Sequence, residues 1–256
     1  MGIEANSLTM KLEQFTSFSA DDRQVLDRLG ADNRRTWAPK RDIIRDGEHV
    51  DQIHLVVSGI AIRNKIMPDG KRQIMAFLIP GDLCDLEVFV LARMDHAITA
   101  LNETTCALIP SDTVKTMLTD MGGLTQPLWW STMTDSAVLR ERIIDHGQRD
   151  ARERLAHLFY EMLIRYRVIG LAADNSYPFP VTQEDLGDAT GLTAVHVNRT
   201  LRGLRADGLI EFTGKAVRIS DPIALKNVAR FSPDYLHLQR SKDGPRHIID
   251  RAGDLL

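Results

Sequence analysis

Three closely spaced arginines, Arg199, Arg202 and Arg205, lie in the stretch 192–206, which contains no acid. A guanidinium offers forked N–H donors that match phosphate oxygens and the O6 and N7 acceptors of guanine. A local charge of +3 in a chain of net charge −3 puts positive charge where a polyanion would meet it. Thr193, His196 and Asn198 in the same stretch can reach phosphates or base edges, and Val195 suits a thymine methyl. Spacing decides whether these residues share a face. At 100° per residue, a helix over 194–206 that turns Val197, Leu201 and Leu204 inward turns Val195, Arg199 and Arg202 outward, with His196 beside them.

The elements around this helix fit that orientation. Thr193 is its N-cap, and a shorter helix precedes it, capped by Thr182 with Asp185 three residues on. Leu186 and Ala189 face inward, Gly187 allows the two helices to cross closely, and Gly191 supplies the positive φ of a tight turn. After Gly208 the stretch 211–219 reads as a hairpin turning at Gly214, which completes a winged helix–turn–helix. The expected DNA-contacting set is Thr182, Gln183, Thr193, Val195, His196, Asn198, Arg199 and Arg202. The plainer reading, a solvated face in some other helix pair, does not account for the wing.

The remaining sequence must carry this unit. A length of 256 residues suggests roughly two domains, and a composition 43% hydrophobic and 26% charged is that of a folded chain with a core. An opening helix is expected with Ser19 as N-cap, Asp21 and Asp22 at its positive end and Gly30 as its stop. Short strands follow: 53–59, a hairpin of 61–66 and 72–77 around Pro68-Asp69-Gly70-Lys71, a turn at Pro80-Gly81-Asp82, and strand material over 97–109. Such spacing predicts an all-β barrel or sandwich.

Gln126-Pro127 then opens a long helix over 128–146 that Gly147 ends. Its apolar stripe is Trp129, Met133, Ala137 and Ile144, with Leu139 and Ile143 beside it. The stripe serves either a second copy of the chain or packing within one chain. Another helix covers 149–167, with Leu155, Leu158, Phe159, Met162 and Leu163 on one face, and a loop spans 170–180. Leu225, Val228 and Phe231 mark one more helix, and the last dozen residues are expected to be disordered. The fold class is α+β, divided as 1–124 (barrel), 125–147 (long helix) and 148–256 (winged helix–turn–helix and tail).

A barrel, one long helix and Leu192-Thr193-Ala194-Val195-His196-Val197-Asn198-Arg199-Thr200-Leu201 followed by a wing resemble the Crp/Fnr family of bacterial transcription regulators over about residues 20–220. The resemblance implies a jelly-roll, cyclic-nucleotide-binding-like barrel as effector domain and a homodimer joined at the long helices through Trp129, Met133, Ala137 and Ile144. It further implies recognition helices about 34 Å apart on a palindrome, a domain hinge at Asp150, and RNA polymerase as a partner. Many members carry glutamate where Val195 stands, which changes the expected half-site, whereas Arg199 is retained. The effector pocket would gather Gly81, Asp82, Cys84, Arg93 and Asp95. Arg93 lacks the hydroxyl neighbour that members binding cyclic AMP pair with it, and Asp95 would repel a phosphate, so these residues argue against a cyclic nucleotide. The acidic turn 81–87 either answers a metal or redox signal or, more plainly, holds solvated acids and a packed Cys84.

Other chemistry is poorly served. Cys84 and Cys106 match no metal-ligand spacing and are too few for an iron–sulfur cluster, so none is expected, and no cofactor is assigned. The rival from another class is a cupin-like metal enzyme using His49, His54 and an acid, with His96 as a further imidazole. Its histidines are spaced too widely, and no nucleophile–base pair or phosphate-binding glycine loop supports catalysis. The longest apolar run, 74–79, is too short to span a bilayer, and no charged-then-apolar leader opens the chain, so a cytoplasmic protein without membrane contact is expected.

Overall fold

The computed structural model describes residues 6–86 and 93–238. Two helices come first, α1 (Ser7–Leu12), capped by Asn6, and α2 (Ala20–Ala31), capped by Ser19 as expected. Gly30 does not stop α2 but lies inside it. A Cβ there would come within 2.8 Å of the Asn6 side chain, so the glycine permits the approach of the α1 cap.

Seven strands follow: β1 (Arg34–Trp37), β2 (Asp42–Ile44), β3 (Gln52–Ser58), β4 (Ala61–Ile66), β5 (Arg72–Leu78), β6 (Ala97–Ala100) and β7 (Thr104–Pro110). They form two antiparallel sheets, ordered β1-β7-β3 and β2-β6-β4-β5. The predicted hairpin is β4–β5, running from Ala61 opposite Leu78 to Ile66 opposite Arg72. Ile44, Leu78, Ile98 and both cysteines fill the space between the sheets.

After α3 (Ser111–Asp120), the long helix α4 (Gly122–Gln148) starts earlier than Pro127 suggests. Pro127 is in its second turn, where it removes the hydrogen bond to the carbonyl of Gly123 and its ring crowds that carbonyl. Gly147 is likewise inside the helix, and the 27 residues reach about 40 Å. α5 (Ala151–Val168) begins at a reciprocal cap between Asp150 and Glu153 and is buried on nearly all sides. The expected loop 170–180 contains a strand, β8 (Ser176–Pro178), that pairs with β10 (Ala216–Ile219), itself paired with β9 (Ile210–Phe212). Between them lie α6 (Gln183–Thr190) and α7 (Ala194–Ala206). The tail supplies α8 (Pro222–Ala229), where Leu225 is buried as expected, and a 3-10 turn (Pro233–Leu236). The terminal dozen residues lie outside the described residues. Among the described residues no helix is long and apolar enough to cross a membrane.

One apolar core runs from Ile62 and Phe77 of the barrel through Phe159 and Phe179 to Leu201 and Leu204, so the two halves share packing. The β4–β5 hairpin holds α6 directly: Arg72 donates to Asp188 at 2.7 Å and to Asp185 at 2.5 Å. An ionic network joins α4 to α5. Arg142 reaches Asp145 (2.8 Å) and Glu161 (2.7 Å), and Arg149 reaches Glu141 and Asp145 (both 2.7 Å). Under it lies wholly buried His157, 3.5 Å from carboxylate oxygens of Glu141 and Asp145 that are already paired with arginines. Burial, with Arg142 and Arg149 adding to it, pushes this imidazole down to about 2.

A pH dependence of stability follows. Below about pH 6.5 the unfolded chain takes up a proton at His157 that the folded chain refuses, so stability falls with pH until about 2. Urea denaturation is expected to lose about 1.4 kcal/mol between pH 7.5 and 5.5 from this residue, a loss absent in His157→Gln.

Candidate nucleic-acid interface

Thr193 caps α7 by accepting from the His196 amide, and Val197, Leu201 and Leu204 are buried against the rest of the domain. That fixes the helix rotation. Val195 is 77% exposed, and His196, Arg199 and Arg202 are exposed with it, as the periodicity required. Among the described residues no ion pair occupies Arg199 or Arg202. Arg205 turns toward the wing, donating to the Phe212 carbonyl at 2.9 Å.

The turn is built as its glycines suggest. Gly191 has φ +69°, and a Cβ on Gly187 would lie 2.5 Å from the Leu192 carbonyl oxygen. Gly187→Ala is therefore expected to force the helices apart and cost about 1–3 kcal/mol, read as a lower midpoint in thermal or urea denaturation. At the start of α6 the Thr182 side chain accepts from the Asp185 amide, and Asp185 returns the bond to the Thr182 amide at 2.9 Å. Gln183 accepts from Asn198 at 3.1 Å, so these two side chains position each other across the helix pair. The whole expected set lies along α6, α7 and their caps.

The face of α4 divides. Trp129 (60%), Met133 (48%) and Ile144 (46%) are exposed, as is Ile143. Ala137 is not: it is 3% exposed and packs within the chain. It lies about 80° round the helix from Trp129, at the edge of the stripe.

Residues 153–228 match the Crp-like helix-turn-helix domain, and residues 34–120 match the cyclic nucleotide-binding domain. The chain is 27% identical to the transcriptional activator protein FnrL of Cereibacter sphaeroides, over 71% of this chain and 73% of that one. It is 26% identical to the nitrogen fixation regulation protein FixK of Azorhizobium caulinodans, over 82% and 84% of the two chains. The solved structure of FixK2 from Bradyrhizobium japonicum superposes with a TM-score of 0.70 at 25% identity, covering 78% of this chain and 98% of that one. The chain belongs to the Crp/Fnr family of transcription regulators. Like other Crp/Fnr regulators it carries its DNA-binding function in the helix–turn–helix, and the metal-enzyme alternative finds no support. His54 hydrogen-bonds Asp85 at 2.7 Å, His49 is exposed, and among the described residues no three His, Cys, Asp or Glu side chains group to hold a metal ion.

In this Crp/Fnr regulator the five expected effector residues are not brought together. Gly81 packs on α1, where a Cβ would lie 2.6 Å from the Ser7 carbonyl oxygen. Asp82 is buried, not solvated, between Lys11 (2.9 Å) and Arg165 (2.7 Å). Burial opposes its ionisation, but those two cations outweigh it and hold the carboxyl below its usual range. Asp85 is also buried, on the His54 amide and ring. Cys84 is packed, its thiol against Cys106. Arg93 donates to the Gly47 carbonyl at 3.0 Å, Asp95 pairs with His96, and Glu87 lies outside the described residues. The acids carry a surface pattern in the sequence because their partners are distant: Lys11 and Arg165 are 71 and 83 positions from Asp82, and His54 is 31 from Asp85.

Proposed function

We propose that this regulator binds a palindromic DNA site as a homodimer joined along α4, with Arg199 of each subunit reading guanine in one half-site. The exposed row Val195, Arg199, Arg202, opposite a buried stripe on the same helix, carries this reading, because a major-groove surface would use that row as a unit. The uncovered apolar row on α4 supports the dimer, which would set the two α7 helices one DNA turn apart. The family resemblance supports RNA polymerase as a further partner and a cytoplasmic setting.

The barrel is proposed to work without an iron–sulfur cluster or a cyclic nucleotide. Contact with the Cys106 thiol, then burial, drives the Cys84 thiol well above its usual range, which leaves it a poor metal ligand. Asp82 is committed to two protein cations, Gly81 approaches α1 rather than a phosphate, and Arg93 is bonded to backbone, so these residues do not fit a cyclic nucleotide.

Selection of bound DNA from a random pool, with native mass spectrometry of the same sample, tests the reading. Enrichment of an inverted repeat bound by two chains is expected. A single half-site bound by one chain, or no enrichment, would sink it.

A further inference from the structure

Where the two halves of the chain meet, a cavity of about 50 Å³ remains that the DNA-binding reading does not use. Its apolar walls include Leu78 and Ile79 at the end of β5, Val138 of α4, Ile164 of α5 and Leu236 of the final turn. The Trp130 indole N–H donates to the His237 carbonyl at 3.2 Å and so holds the terminal segment across the opening. This gives the tail a role, as the fourth wall of the cavity.

Two polar groups lining it have no hydrogen-bond partner, the Nε of Arg63 and the hydroxyl of Thr134. Both residues are only 7% exposed, so bulk solvent reaches them far less than it would at a surface, and their partner must enter the cavity. The Arg63 guanidinium is anchored by its Nη2, which donates to the Cys84 carbonyl at 3.0 Å, while its Nε–H is left over. The charged lining is Lys11, Arg63 and Arg165 against Asp82 and Asp135, one positive charge in excess. Asp82 engages Lys11 and Arg165, Asp135 lies 3.8 Å from Lys11, and Glu161, outside the lining, lies 3.5 Å from Arg165. Arg63 is thus the one lining cation with no carboxylate at ion-pair distance among the described residues. A second cavity of about 230 Å³ shares Arg63 and Asp135, but its other walls (Leu83, Ser131 and Thr132 among them) contain no unpaired buried atom.

We propose that the smaller cavity is a binding site for a short-chain aliphatic monocarboxylate. Its carboxylate accepts from Arg63 Nε–H and from the Thr134 hydroxyl, and its hydrocarbon part packs on Val138, Ile164 and Leu236. The single negative charge meets Arg63, the lining cation that no carboxylate pairs. A cavity of this size holds only a handful of water-sized groups, which favours a three- or four-carbon acid over longer chains. Because the walls come from the barrel, α4, α5 and the tail, an occupant that prefers one placement of these elements shifts the balance between placements. That effector role rests on the proposed function above. The site itself does not.

Calorimetric titration of the full-length protein, without DNA, uses straight-chain carboxylates from acetate to octanoate and butyramide as the uncharged control. Propionate or butyrate is expected to bind once per chain, with octanoate and butyramide at least about tenfold weaker. Thr134→Val removes a hydroxyl that bonds nothing in the protein and is expected to weaken binding about fivefold to tenfold. Ile164→Trp fills the cavity and is expected to abolish binding. No saturable binding, equal affinity for butyramide, or full affinity in Thr134→Val would overturn the site. Butyrate bound as expected but without effect on affinity for the selected DNA would overturn the effector role alone.

Discussion

Arg199→Ala is expected to lose sequence discrimination while the protein still folds, dimerises and binds DNA non-specifically. The residue is exposed at the middle of α7, and the buried Val197, Leu201 and Leu204 that hold the helix in place do not depend on it. A bidentate guanidinium–guanine contact is worth about 1–3 kcal/mol of preference for the right base, made once per half-site. Across a two-fold site that is about 2–6 kcal/mol, a fall of roughly 30-fold to more than 10⁴-fold in the ratio of specific to non-specific affinity. Competition binding with the selected site, and with the same site altered at the guanine, measures it. Arg199→Lys sharpens the result, since it keeps the charge but not the planar fork. It should lose nearly as much discrimination while retaining the wild-type salt dependence. Full specificity in Arg199→Ala would remove the central contact from the mechanism.

The elements that present Arg199 were legible in the sequence for a physical reason. In 182–206 every local requirement agrees: threonine caps, an apolar stripe at helical spacing, and two glycines, Gly191 forced by positive φ and Gly187 by a 2.5 Å approach of the Leu192 carbonyl. The barrel hairpin was legible on similar grounds, because the Pro68-Asp69-Gly70 turn fixes its register. Features set by distant contacts were not legible. β8 is three residues long and exists because Tyr177 pairs with Val217, 40 positions on. α1 is a six-residue helix stabilised by its Asn6 cap and its packing on α2. Asp82 and Asp85 carry the pattern of surface acids, and only Lys11, Arg165 and the His54 amide explain their burial. Ala137 is too small for its side chain to mark which edge of the α4 stripe it belongs to.

The same stripe supplies the second large effect. Met133→Asp is expected to convert the protein to monomers and, through that, to abolish tight binding to a two-fold site. Met133 is 48% exposed in the single chain, one turn from Trp129, and the row continues through Ile143 and Ile144 toward the helix end. Two copies of α4 meeting on this row would bury the methionine side chains of both subunits near each other. Replacing them would place two carboxylates in an apolar contact with no cation provided for either, and leaving a buried charge unpaired costs about 3–5 kcal/mol. The two sites together cost enough to move dissociation from nanomolar to micromolar or weaker. Within one chain the new aspartate remains on the exposed side, so the fold should survive, and an unchanged far-ultraviolet circular dichroism spectrum with a cooperative thermal transition checks this. The midpoint itself falls with the loss of the partner. Sedimentation velocity then separates the alternatives. A dimer that persists in Met133→Asp would show that the α4 row is covered in some other way and that the two recognition helices are not positioned by this face.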